Sequence, residues 1–228
     1  MQITKKASII LIELKNHSPF TLFGTFTGII CMLVFKNLQE QTSERIFYIF
    51  HPAHVLLSAI VTTSMFELHT SKKRLIAIFL VGFFGSIGIS TLSDSIIPYI
   101  GELLLGMQVQ IHEHSGFAEH AHIGFIEAWY LVLPAAIIGI LIAYLKPKTK
   151  IPHAGHVLLS TWASSFHIIM AMGGHLSIWE AIVSFAFLFF AVLLPCCFSD
   201  IVFPLLFVKP ALSEVEGAEG NPSHAHHH

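Results

Sequence analysis

The apolar residues of this chain are gathered into blocks, and the length of those blocks constrains the fold more than any motif does. Six of them, at about 19–37, 51–68, 74–98, 124–145, 153–172 and 177–208, match or exceed the roughly 20 helical residues that cross a hydrocarbon core. Of 228 residues 54% are hydrophobic and 11% are charged, whereas a soluble domain carries roughly 25% charged residues. The expectation is an all-α polytopic membrane protein with six transmembrane helices embedded in a lipid bilayer.

The block at 19–37 is retained as a helix, because no small-residue cleavage pattern follows it before the next span. Residues 1–18 read as an amphipathic lead-in carrying Lys5, Lys6 and Lys15. With the N-terminus inside, the inner segments carry Lys5, Lys6, Lys15, Lys72, Lys73, Arg74, Lys146, Lys148, Lys150 and Lys209, and the outer ones only Lys36 and Arg45. Positive residues favour the cytoplasmic side. Both termini are therefore expected to be cytoplasmic, in the inner membrane of a prokaryote.

Two motifs recur in order. "HPAHVLLS" at 51–58 returns as "HAGHVLLS" at 153–160, and "SDSIIP" from Ser93 returns as "SDIVFP" from Ser199. Each half then has three spans, and an odd number makes the second half enter the membrane from the opposite side. The sequence thus reads as two inverted-topology three-helix repeats, 19–101 and 124–209, an arrangement found in secondary transporters. They are joined by a His-rich extracytoplasmic loop, 102–123, and followed by a tail, 210–228, whose small, acidic and Gly-containing composition suits disorder.

The polar residues inside the repeats point to a metal. His51 and His54 open the second span and His153 and His156 the fifth, while Asp94 and Asp200 lie toward the ends of the third and sixth. Residues i and i+3 share a helix side, so each imidazole pair can face one ion, with a carboxylate nearby. Such donors suit zinc, manganese, iron, nickel or cobalt, and not sodium or chloride. An ionisable residue within a span costs about 2.5–3.5 kcal/mol on insertion scales and marks a partner, cavity or pathway. The expected arrangement is two related sites, one nearer each face, though histidines at a helix start also occur simply as headgroup-zone residues. The Pro195 and Pro204 pair around "CCFSD" marks a break in the last block, where one shared site is the alternative.

Accessory positions follow from the same pattern. Ser58 and Ser160 lie one turn deeper on the histidine stripe, and Cys196 and Cys197 align with Ser90 and Thr91 and can lend thiolates. His167 lies on the His156 face, and an imidazole titrates near neutral pH, which suits proton coupling as well as a structural hydrogen bond. The loop histidines His112, His114, His120 and His122, with Glu113 and Glu119, can collect divalent cations. The terminal "HAHHH" is either a native cytosolic metal-binding tail or the remnant of a purification tag, and it carries no weight.

The chain has no GxxxxGK[ST] phosphate loop, no HExxH or GxSxG, and no basic stripe for nucleic acid. Three functions stay open: a secondary carrier whose substrate is a divalent transition metal; an intramembrane metal-dependent hydrolase with Ser58 or Ser160 assisting; and a haem-binding redox protein. The first fits a near-symmetric pair of sites best, with a homo-oligomer compatible with any of them.

Overall fold

A computed structural model describes residues 2–70, 75–106, 122–147, 150–172, 174, 176–198 and 202–207, and it is all-helical, with no strand among the described residues. Helix α1 spans Gln2–Phe35 and α2 spans Glu40–His69. A third long helix comprises α3 (Leu75–Thr91), a π-helical turn at Leu92–Ile96 and α4 (Ile97–Leu104). The short α5 (Gly124–Glu127) leads into α6 (Trp129–Leu145), followed by α7 (Lys150–Ala171), α8 (Ile178–Cys197) and a last turn, α9 (Phe203–Leu206). The start of α8 is set by a reciprocal cap: Glu180 N–H donates to Ser177 Oγ at 3.2 Å, and Ser177 N–H donates to Glu180 Oε2 at 2.7 Å.

Among the described residues, four helices are long and apolar enough to cross a membrane: Ser18–Phe35, Glu40–Leu68, Leu75–Leu104 and Ile178–Cys196; Trp129–Leu145 is a shorter apolar helix. This is the build of a membrane protein. The large side chains facing outward are apolar, among them Ile76, Phe84, Leu141 and Phe190, while Ser58, Thr62, Ser93, His156 and Ser164 are buried. Helix α7 carries a run of buried hydroxyls, Ser160, Thr161, Ser164 and Ser165. Its hydroxyls close onto its own backbone, Thr161 to the Val157 carbonyl at 2.8 Å and Ser165 to that of Thr161 at 2.7 Å, as they must where no water is at hand.

Helix α2 begins eleven residues before the apolar block expected at 51, and this moves the histidines. Glu40, Glu44 and Arg45 lower the hydropathy of its first turns, and Pro52 resembles a first-turn proline, yet Pro52 lies inside the helix. The third helix likewise continues past 98 to Leu104. His54 is therefore midway along α2, about 21 Å from its start at 1.5 Å per residue.

Helices α2 and α7 cross at the centre, with α1 and α8 along one side and α3 and α6 along the other. Close approaches fix their directions. Gly24 rests against Thr161, and Gly28 against Ser165, making α1 and α7 parallel. Gly82 rests against Thr63 while Asp94 reaches His51 and His54, so the third helix is antiparallel to α2. The α2–α6 contact has a counterpart in α7–α1, the α2–α3 contact in α7–α8, and α1–α8 in α6–α3. Gly24 packs on Leu158 and Thr161, and Gly139 packs on Leu56 and Ala59; Leu56 and Leu158 hold the same place in the repeated octet.

Candidate metal centre

The π-helical turn builds the site. The wider turn at Leu92–Ile96 buries Ser93, Asp94 and Ser95 together, and turns of this kind often mark functional positions. The Ser93 carbonyl accepts from Ser164 Oγ at 3.0 Å across the helix interface. Residues Phe198 and Val202, flanking the second Ser-Asp motif, have the same π geometry.

Asp94 is enclosed by four donors. Its Oδ2 accepts from His51 Nδ1 at 2.9 Å and from His54 Nδ1 at 2.7 Å; its Oδ1 accepts from Ser93 Oγ at 2.7 Å and Ser160 Oγ at 2.8 Å. A carboxylate has about four lone-pair positions, and all are occupied. Asp94, expected as a metal ligand, is hydrogen-bonded to the Nδ1 atoms of both imidazoles. By holding both Nδ1 protons it leaves each Nε2 as the basic nitrogen, the arrangement in which carboxylates support metal-binding histidines.

Where each Nε2 lies separates the two histidines. The His51 ring stacks on Phe47, with centroids 5.3 Å apart, and its Nε2 edge abuts α5, where a Cβ on Gly124 would lie 2.7 Å from Nε2. His54 stacks instead on His156 of α7, with centroids 5.7 Å apart and planes 11° off parallel. Cys196 joins them from the end of α8, and one ligand atom from each of His54, His156 and Cys196 lies within 4.8 Å of the others, all three residues buried. Around a tetrahedral zinc, with bonds of about 2.0–2.3 Å, such atoms stand about 3.3–3.8 Å apart. A small inward movement would close this group on an ion.

Two related sites were the expectation, with one shared site as the alternative; the described residues of the two sets lie together, as the alternative has them. His51, His54, Asp94, His156, Ser160 and Cys196 form one cluster deep in the bundle. The physical reason is the early start of α2, which carries its histidine pair down to the level of His156. The side chains of His153 and Cys197, and all of Asp200, lie outside the described residues. Ser58 is buried, with no hydrogen-bond partner for its Oγ among them.

A second polar group lies toward the Glu44 end of the bundle. His167, expected on the His156 face, pairs with Glu102 through Nδ1 and Oε1 at 2.7 Å, both buried. Beside it, His122 Nδ1 is 3.6 Å from Glu127 Oε2, and the Tyr48 hydroxyl donates to the same carboxylate. Glu44, His122 and Glu127 bring one ligand atom each within 4.8 Å of one another. Burial, and then the charge of Glu44, pushes Glu127 up to about 7, against an opposing pull from His167. The other loop histidines, His112, His114 and His120, lie outside the described residues. Sequence reasoning passed over Glu44, Tyr48, Glu102 and Glu127; the one available signal was Glu102, a lone carboxylate in the apolar run from Ile97 to Leu104.

Comparison with protein-family profiles, with curated proteins and with solved structures finds no match to this chain.

Proposed function

We propose that the protein is a secondary carrier of a divalent transition-metal cation, working by alternating access between two inverted three-helix repeats. One observation carries this reading: His54 from the first half and His156 from the second, equivalent positions of the repeated octet, stand face to face beside Cys196. A donor set drawn from equivalent places in both halves is what a carrier needs, because rocking the halves opens the same ligands first to one side and then to the other. The paired contacts of α2 with α6 and α7 with α1, and the π geometry beside both Ser-Asp motifs, support the repeat.

In this reading six helices cross the bilayer, the lysine-rich end with both termini is cytoplasmic, and the Glu44 end is outside. Asp94 anchors His51 and His54; the repeat gives Asp200 the corresponding role toward His153 and His156. Two imidazoles and a thiol favour zinc, cobalt or nickel over manganese. Of the two hydroxyls the hydrolase alternative could use, Ser160 donates to Asp94, while Ser58 Oγ has no hydrogen-bond partner among the described residues.

The test is metal content and flux together, in a protein whose tail histidines His224, His226, His227 and His228 are replaced by Ala. Zinc, cobalt, nickel, iron and manganese uptake is measured in proteoliposomes for this protein and for His54→Ala, His156→Ala and Cys196→Ser. Selective flux lost in all three variants is the expected result. Tightly bound metal without flux would favour the hydrolase, and normal flux in all three would sink the proposal.

A further inference from the structure

We infer that Glu44, His122 and Glu127 form a second, external metal site, which takes a divalent cation through two carboxylates and an imidazole before it reaches the central cluster. The passage to the centre rests on the carrier reading; the existence of the site does not. The three residues come from three separate places: the first turns of α2, the connection before α5, and the end of α5. Their ligand atoms nevertheless converge within 4.8 Å. Two carboxylates are held there side by side, and among the described residues no Lys or Arg is in ion-pair contact with either. Glu127 Oε1 is buried without a hydrogen-bond partner, while Oε2 is fixed by Tyr48. Two carboxylates and an imidazole kept together, with one oxygen unfilled among the described residues, are a donor set that a bound dication would complete.

The cluster is also joined to the centre. Ser95, the residue after Asp94, donates to the His122 carbonyl at 3.0 Å. Gly124, one turn before Glu127, rests directly on the His51 ring. Phe47 stacks on His51 and meets His167 edge-on, with centroids 5.6 Å apart, so it separates the two polar regions. The donor sets differ in softness. The external one offers oxygens and one nitrogen, suited to a cation that still carries water, whereas the central one offers a thiol. A cation drawn inward exchanges hard ligands for softer ones.

Cobalt(II) distinguishes the sites, because only a thiolate-bound ion gives intense near-ultraviolet charge-transfer absorption. The full chain and its Glu44→Gln/Glu127→Gln variant are titrated with cobalt, with bound metal counted by equilibrium dialysis. Loop and tail histidines are common to both proteins, so the difference counts only the site removed. The variant is expected to bind one equivalent fewer, to keep the charge-transfer band, and to need about tenfold more metal for half-maximal flux, a loss of about 1.4 kcal/mol. Equal stoichiometry in the two proteins overturns the proposal, as does loss of the band with the missing equivalent, which would mean that the carboxylates shape the central site. Absence of the band from both proteins, and from Cys196→Ser, would instead sink the central reading while the stoichiometry still judges this one.

Discussion

Asp94→Asn separates the orienting role of this residue from its packing. The carboxylate accepts four hydrogen bonds, whereas a side-chain amide offers one acceptor oxygen and two N–H donors in the same shape. If the amide nitrogen faced His51 and His54, both rings would have to move their protons to Nε2 and lose the lone pair a metal needs. The amide oxygen will therefore face the imidazoles, and the Ser93 and Ser160 hydroxyls will turn to accept from the nitrogen. Geometry survives; the negative charge does not. Losing a carboxylate behind a metal-binding histidine weakens binding about 10–100-fold, equivalent to about 1.4–2.7 kcal/mol. Asp94→Ala differs, because it strands at least two buried imidazole donors at about 1–3 kcal/mol each, a large share of the 5–15 kcal/mol that holds a typical domain together. Zinc competition against a fluorescent chelator, with thermal melts in detergent, reads both effects. Asn should bind weakly and melt near the parent temperature, and Ala should melt well below it. Parent-like zinc affinity in Asp94→Asn would refute the orienting role.

Cys196→Ser replaces a soft donor with a hard one, so zinc and cobalt affinity should drop while manganese affinity changes little; equal losses across the three metals would remove the thiol from the site. Gly124→Ala sets a Cβ 2.4 Å from the His51 ring carbon Cδ2; the ring must shift away from Asp94, and zinc affinity should fall with little change in helix content by circular dichroism. Glu127→Gln tests the raised pKa of Glu127 in chelator-treated protein. Below the ordinary value of 4.5 the residue is protonated in folded and unfolded chains alike, and it contributes nothing. Between there and about 7 the unfolded chain ionises first, so this residue lowers stability as pH rises, and the penalty levels off above that value. The variant should melt above the parent at pH about 8 and with it at pH about 4; the reverse order would contradict the placement of Glu127.

The membrane character was legible because it rests on local chemistry. Apolar runs have one stable home, and a repeated His-x-x-His with a paired Ser-Asp is visible without knowing the fold. The depth of the site was not legible. It depends on where α2 starts, and Glu44, Arg45 and Pro52 all point to a later beginning than Glu40. Cys196 illustrates a different difficulty. Its alignment with Ser90 marked it as able to lend a thiolate, but only the crossing of α2 and α7 brings His54 and His156 to it. The external cluster was harder still, since Glu44 and Glu127 come from distant elements and neither belongs to a motif.

Whether the two halves share one site or hold two is decided by how the losses combine. In one site, His54→Ala removes a ligand whose partner His156 stands 5.7 Å away, ring to ring. Once the first is gone the metal is already bound poorly, so adding His156→Ala should cost much less than it does alone. Contacting residues commonly show coupling energies of about 0.5–3 kcal/mol, whereas independent positions add to within about 0.5 kcal/mol. Two separate sites predict the opposite: each single variant loses one bound equivalent and leaves the other's affinity unchanged, and the double variant loses both. Zinc affinity and stoichiometry for the parent, the two single variants and the double variant therefore form a closed cycle. Coupling above about 1 kcal/mol at constant stoichiometry places both imidazoles on one ion. Additive losses would return the repeated histidines to two independent sites, and with them the carrier reading would lose the apposition on which it stands.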